Sequence, residues 1–220
     1  LAHAIENNEL ELQYQLLHDV ANDSIYGVET VIRWNNEEYN DVPLVEIIEA
    51  ADVSGLSEQL GVWILSHACE KFATWQHQGM TQLHYVINLY LTLSSCKSIL
   101  KSYTKIIDES GVDAANLSIE FAEDGFQDID EFTKEQVEQL AQVGIHLSID
   151  HFGKGYSSLE MIQDLPVNTL EIDASYVERD ADEHPNGQLV KAITALAEEL
   201  DLATLAKGIS KQDLIDILQQ

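Results

Sequence analysis

Six acidic or amide side chains stand where short apolar runs of this chain come to an end. Glu29 follows Gly27-Val28, Asn88 follows Tyr85-Val86-Ile87, and Glu120 follows Leu117-Ser118-Ile119. Asp150 follows Leu147-Ser148-Ile149 and is itself followed by His151, while Glu171 and Asp173 flank Ile172. Lys207 closes the run Ala203 to Ala206. Charged side chains are almost never buried without partners, so each position taken singly reads as a solvated rim residue. Taken together, Glu29, Asn88, Glu120 and Asp150 offer three carboxylates and one amide from four separate runs. That oxygen-rich set suits a hard divalent cation such as Mg2+, Mn2+ or Ca2+.

The positioning elements follow from periodicity. Leu10, Leu12, Tyr14 and Leu16 alternate, which predicts a strand over Leu10 to Leu17. A turn at Asn22-Asp23-Ser24 leads into a second strand from Ile25 to Trp34, and so short a link makes the pair antiparallel. Helices are predicted from Pro43 to Ala51, with proline suited to the first turn, and from Ser57 to Gln78, stopped by Gly79. Strands and helices then alternate: strand Leu83 to Leu89, helix Leu93 to Glu109, strand Leu117 to Phe121, helix Asp130 to Gln142, strand Ile145 to Ile149. The alternation continues with helix Ser158 to Asp164, strand Thr169 to Ile172, helix Gly187 to Leu200, strand Ala203 to Ala206 and helix Lys211 to Gln220. Such alternation implies parallel strands joined by crossovers. These seven strands lead us to expect a modified (β/α)8 barrel of the TIM type with an antiparallel first strand pair. In such a barrel, the C-terminal strand ends are where catalytic groups collect. Gly153 and Gly155 after His151 predict a tight loop with positive φ, and Ser157 or Ser158 is expected to cap the next helix.

The 220 residues suffice for one domain with a full core, and 45% of them are hydrophobic. Eleven basic against 39 acidic residues give a formal charge of −28, which argues against a broad nucleic-acid footprint. It also repels a phosphate-bearing ligand unless local cations intervene. No apolar run is long enough to span a bilayer and no signal peptide opens the chain, so a cytoplasmic domain is expected, with room for a membrane-anchored parent protein. Cys69 and Cys96 read as reduced, buried thiols.

The run Asp150-His151-Phe152-Gly153-Lys154-Gly155-Tyr156-Ser157-Ser158 closely resembles the signature of the EAL family of cyclic-di-GMP phosphodiesterases. Further ordered motifs carry the resemblance along nearly the whole chain. These are Leu12-Gln13-Tyr14-Gln15, Glu29-Thr30-Val31-Ile32-Arg33-Trp34, Ile87-Asn88-Leu89, Glu120-Phe121-Ala122-Glu123, Glu171-Ile172-Asp173 and Lys207-Gly208-Ile209-Ser210. The resemblance implies that Glu29, Asn88, Glu120 and Asp150 hold metal-ligand positions. By the same resemblance, Arg33 contacts a ligand phosphate, Gln15 and Asp173 belong to the ligand site, and Glu123 steadies the loop after the fifth strand. Three positions depart from the family. His151 stands for an aspartate that serves a second metal, Glu171 for a lysine that positions the attacking water, and Lys207 for a glutamate at the metal site. Two-metal hydrolysis needs both ions, so the departures imply a degenerate domain that binds cyclic-di-GMP or relays a signal without hydrolysing it. The metal site is expected to be empty, with Mg2+ or Mn2+ its occupants if it is functional. An active phosphodiesterase with unusual ligands and a pure interaction module are the alternatives.

Residues 1–220 are expected to form one domain of a longer multidomain signalling protein, without the family's C-terminal strand. An upstream GGDEF or sensor domain is the expected neighbour, and a homodimer is compatible with the sequence.

Overall fold

A computed structural model describes residues 1–7, 9–36, 39, 42–89, 100–123, 130–153, 159–173, 175–176, 188–207, 209 and 215. After a short helix α1 (Ala2–Glu6), strands β1 (Leu10–Asp19) and β2 (Ser24–Trp34) form an antiparallel hairpin. Helices α2 (Leu44–Ser54) and α3 (Ser57–His77) follow. The crossovers then run β3 (His84–Asn88), α4 (Leu100–Ser110), β4 (Leu117–Ala122), α5 (Glu131–Gln142), β5 (His146–Phe152), α6 (Leu159–Asp164), β6 (Thr169–Ile172), α7 (Gln188–Glu199) and β7 (Ala203–Ala206). The strands form one sheet in the order β1 to β7, with every pair after the first parallel.

The described residues thus hold the seven strands that periodicity predicts, one fewer than a complete (β/α)8 barrel has. The first part of the expected helix Leu93 to Glu109, the capping serines Ser157 and Ser158, Gly155, Cys96 and nearly all of the expected last helix lie outside the described residues. Strand β5 runs through Asp150 and His151 to Phe152 instead of stopping at Ile149. Its pairing with β6 slips in register between Ile149 and Phe152, an irregularity that periodicity does not encode.

The sheet curls into a barrel, and one contact makes this plain. Glu29 on β2 and Lys207 just beyond β7 belong to opposite parts of the sheet order, yet Lys207 Nζ lies 2.8 Å from Glu29 Oε1. Five strand spacings of about 4.8 Å would separate them by roughly 24 Å if the sheet were flat.

Period-two alternation divides each strand between two environments. Tyr85, Ile87, Ile119, Phe121, Leu147, Ile149, Leu170 and Ile172 belong to the apolar core shared with Leu60, Ile64, Ala68 and Phe72 of α3. Phe72 stacks on Tyr85 with ring centroids 4.5 Å apart. The remaining positions fill the barrel interior and are unusually polar. Ser118 and Ser148 are buried there, as are the acidic groups higher up the same strands. Gly27 is required by close approach, because a Cβ at this position would come 2.1 Å from the His84 carbonyl oxygen.

The barrel floor centres on His84, which is 8% exposed. Its Nε2 pairs with Ser118 Oγ at 2.7 Å, its ring stacks on Tyr26, and the His146 ring lies 5.3 Å away. Burial, with a smaller contribution from His146, lowers the His84 imidazole from 6.5 to about 4. The unfolded chain therefore takes up a proton near pH 6.5 that the folded protein refuses until about pH 4. Stability is complete above that window and falls as pH drops through it. The full shift corresponds to at most about 3 kcal/mol. Denaturant titrations between pH 7 and 4 are expected to show the parent losing up to about this much more stability than His84→Gln, which keeps a polar partner for Ser118 but cannot charge.

A candidate functional site at the C-terminal mouth of the barrel

The register of the parallel strands brings the acidic residues to one end of the barrel. Asn88 pairs with Glu120, Glu120 with Ser148 and Ala122 with Asp150, while Glu171 pairs with Leu205 two residues before Lys207. Thr30 Oγ1 accepts the Asn88 backbone N–H at 3.2 Å, fixing the end of β3 against β2. Glu120 is 0% exposed, Glu171 1%, and Glu29 and Asn88 5% each. Carboxylates so far from water require a compensating charge.

Lys207 supplies it. Its ammonium lies 2.7 Å from Glu120 Oε2, 2.8 Å from Glu29 Oε1, 2.7 Å from Glu171 Oε1 and 3.9 Å from Asp150 Oδ1. Burial alone would pull the Lys207 amine down, but Glu120 foremost, then Glu171, Glu29 and Asp150, drive it well above the ordinary lysine range. It therefore stays charged. Burial pushes Glu120 up to about 7, against the pull of Lys207 and with the Glu29 charge adding to the rise. Burial raises Glu171 further still, and the Glu120 charge adds to it. Although Glu171 Oε1 touches the ammonium, its desolvation outweighs that contact, and Glu171 is the carboxyl that keeps a proton. Burial also raises Asp150, but the hydrogen bond from His151 and the Lys207 charge outweigh it and hold Asp150 at about 2. Burial and the shared ammonium thus sort Glu120, Glu171 and Asp150 into acids of very different strength.

His151 borders the cluster with its side chain half-exposed. It has a left-handed backbone, φ 59°, which histidine adopts only at some cost and which often marks functional positions. Its Nδ1 lies 2.5 Å from Asp150 Oδ1, and its Nε2 lies 3.8 Å from Asp173 Oδ2. Asp173 Oδ1 also accepts the backbone N–H of Ser175 at 2.8 Å. Gly153 follows with φ 92°, as the tight loop predicts, and Tyr176 Oη donates to its carbonyl. Asp150, His151 and Glu171 each present a ligand atom within 4.8 Å of the other two, a grouping that could hold a metal ion.

Gln15 and Arg33 stand apart from this centre. Gln15 pairs with Glu29 across the hairpin and is exposed. Arg33 lies four residues beyond Glu29 on the same face of β2, roughly 13 Å further along the strand. It is exposed, and its Nε donates to Gln13 Oε1 at 3.4 Å. Sequence reasoning had no reason to name Gln13 as a neighbour of Arg33, since the contact depends on the hairpin register. Glu123 is buried directly after β4, and the loop it was expected to steady lies outside the described residues. A cavity of about 290 Å³ opens between β1 and β7 and reaches the cluster from the side. Its lining includes Gln15, Leu17, Glu29, Leu205, Lys207 and Ile209. The sequence signals only Leu16 and Leu17 on β1, the first exposed and the second buried, which no alternation pattern can assign to a cavity.

The model of the EAL domain family matches residues 1–220. The oxygen sensor protein DosP of Escherichia coli (strain K12) is 29% identical over 220 residues, covering 100% of this chain and 28% of DosP. The cyclic di-GMP phosphodiesterase NbdA of Pseudomonas aeruginosa is 27% identical over 220 residues, again 100% of this chain and 28% of the relative. The chain therefore spans little more than a quarter of the length of these relatives. Among solved structures, the PaMucR phosphodiesterase in complex with c-di-GMP superposes with a TM-score of 0.87 at 26% identity, over 99% of this chain and 88% of that one. The FimX EAL domain of Pseudomonas aeruginosa bound to c-di-GMP, at 20% identity and a TM-score of 0.86, shares the fold. With the barrel, its antiparallel first pair and its ring of acidic strand ends now described, and the family model matched from end to end, this chain belongs to the EAL domain family.

Proposed function

We propose that this domain serves in cyclic-di-GMP signalling as a nucleotide receptor or regulatory module that does not hydrolyse the nucleotide. The observation that carries the reading is the position of Lys207 Nζ between Glu29 Oε1 and Glu120 Oε2, at 2.8 and 2.7 Å. Glu29, Asn88, Glu120 and Asp150 are the family's ligand positions. A divalent ion in their midst would compete with a tethered ammonium for the same oxygens, and a charged lysine cannot itself be a ligand. The donor set around Glu29 and Glu120 therefore does not fit the family's ion.

Two further groups support the reading. The family's water-positioning lysine is Glu171 here, and Glu171 keeps its proton. The second aspartate is His151, already engaged with Asp150 at 2.5 Å. The exchange of lysine and glutamate between positions 171 and 207 preserves the summed charge at the barrel mouth while moving its positive end to the centre. Nucleotide recognition does not need the lost groups, because a guanidinium such as that of Arg33 grips a phosphate without a metal. The grouping of Asp150, His151 and Glu171 favours a second reading, a metal-dependent phosphodiesterase with unusual ligands.

The relatives' greater length supports an upstream diguanylate-cyclase or sensor domain as the neighbour in the full protein. MucR of Pseudomonas aeruginosa, described as a bifunctional diguanylate cyclase/cyclic di-GMP phosphodiesterase, is matched over 31% of its length. A homodimer is compatible with this arrangement, and nucleic acid is not an expected partner of a chain carrying −28. Among the described residues, no helix is long and apolar enough to cross a membrane. We place the domain in the cytoplasm, where its nucleotide would be found.

Incubated with cyclic-di-GMP and Mg2+ or Mn2+, the domain is expected to release no linear pGpG above a metal-free control. Loss of one strong electrostatic catalyst typically costs about a hundred- to a thousandfold, and three departures share this site. Steady product formation would establish the second reading. In calorimetric titrations, Arg33→Ala is expected to weaken cyclic-di-GMP binding by more than Lys105→Ala, a change at an exposed α4 residue. Equal effects would remove Arg33 from the ligand site. Finally, Lys207→Glu replaces the tethered cation by a further carboxylate. Its thermal midpoint is expected to fall and then to rise on addition of Mg2+ by more than the parent's does. An identical Mg2+ response in the two proteins would show that the ammonium excludes nothing.

A further inference from the structure

We propose that Gln13 is a positioning residue for Arg33: it draws the guanidinium out of an ion pair with Glu11 and holds it open for a nucleotide phosphate. The ligand in this inference rests on the receptor reading. The arrangement of the side chains rests on the hairpin alone.

The register of the hairpin sets the problem. Glu11 on β1 is the cross-strand partner of Arg33 on β2. Residues directly opposite in an antiparallel pair share a face, with Cβ atoms about 4.5 to 5.5 Å apart. Opposite charges so placed are within easy reach of each other. Arg33 is also one of two arginines in a chain with 39 acidic residues, so a guanidinium without a carboxylate partner is conspicuous.

The side chains take other partners. Arg33 Nε donates to Gln13 Oε1 at 3.4 Å, and Glu11 Oε2 accepts from Asn35 Nδ2 at 3.4 Å. Among the described residues no carboxylate forms an ion pair with Arg33. The two amides pull in opposite directions along the hairpin. Gln13 pairs with Val31, two residues before Arg33, and so lies on the side of Glu29 and the barrel mouth. Asn35 follows the end of β2, on the far side of Arg33. Arg33 therefore leans back toward the mouth while Glu11 is drawn away from it.

The magnitudes permit this. An exposed ion pair between neighbouring strands is worth little, because water screens it and two long side chains must be fixed in one geometry. Two hydrogen bonds to neutral amides can offset so weak an attraction. An amide at 13 also does what a carboxylate there would not: it gives the guanidinium an acceptor without cancelling its charge. With Nε engaged, the Nη groups of Arg33 donate to no other described residue. They are the donors with which a guanidinium takes phosphate oxygens. An arginine paired with Glu11 would have to be released before it could bind, and only the unpaired fraction would be competent. Gln13 removes that competition in advance.

The test pairs calorimetric titration with cyclic-di-GMP and NMR spectra of the Arg33 Nε–H group in the nucleotide-free domain. The proteins are the parent, Gln13→Ala, Glu11→Gln and the double variant, all changed at exposed positions of the hairpin. Gln13→Ala is expected to lower affinity roughly threefold, the share of Arg33 lost to a weak cross-strand pair. Glu11→Gln removes a negative charge near the phosphate in either background, so its benefit is what is compared. That benefit should be at least about twofold larger in Gln13→Ala than in the parent. The Nε resonance should ignore Glu11→Gln in the parent and respond to it in Gln13→Ala. An equal benefit of Glu11→Gln in the two backgrounds would overturn the proposal, as would an Nε resonance that responds equally in both. If the parent binds no cyclic-di-GMP while the Nε spectra behave as expected, the receptor reading falls and the role of Gln13 in holding Arg33 away from Glu11 stands.

Discussion

The Lys207 ammonium held among Glu29, Glu120, Glu171 and Asp150 is the interaction on which the mouth of this barrel depends. It joins the end of β7 to β2, β4, β5 and β6, and so ties together strands that are remote in the sheet. No pairing links β7 to β1 among the described residues, so the ion cluster spans the opening that backbone hydrogen bonds do not close. Such a cluster is not a source of stability in itself, since desolvating its members costs about as much as their attraction returns. Its effect is conditional. Once three carboxyl groups are buried at that level, removing the one cation leaves them uncompensated.

The same burial explains the spread of acid strengths around it. Identical side chains behave differently because their distances to one ammonium and to one another differ. Asp150 has Lys207 and His151 beside it and is a strong acid. Glu171 is deeply desolvated, sits next to Glu120 and retains its proton. These assignments follow from position in the barrel and not from residue type. They also explain why a histidine is tolerated at 151, where Asp150 and Asp173 flank its two ring nitrogens.

The polar interior is continuous from floor to mouth. His84 and Ser118 occupy the floor, Ser148 the middle, and the acidic ring the top, all on the inward face of strands whose outward face is mostly apolar. A barrel filled with aliphatic side chains would be easier to stabilise. The polar filling is instead held by specific pairs, the His84–Ser118 bond below and the Lys207 contacts above. Such pairs trade hydrophobic packing for groups able to meet a charged ligand or ion.

Much of this was legible in the sequence, for a local reason. Strand and helix periods differ, so the crossovers from β3 to β7 and the antiparallel hairpin could be read from alternation and from stops such as Gly79 and Gly144. The acidic strand ends were legible because a carboxylate closing an apolar run is conspicuous, and ordered motifs identified the family. Other features were decided only by the tertiary structure. The continuation of β5 through His151, the register slip that follows it and the pairing of Arg33 with Gln13 arise from contacts between strands, which no single segment encodes. Lys207 is the clearest case: in the chain it is one lysine among few, 87 residues from Glu120. Only closure of the barrel brings its ammonium to those oxygens, because electrostatic partnership depends on distance through space and the sequence records distance along the chain.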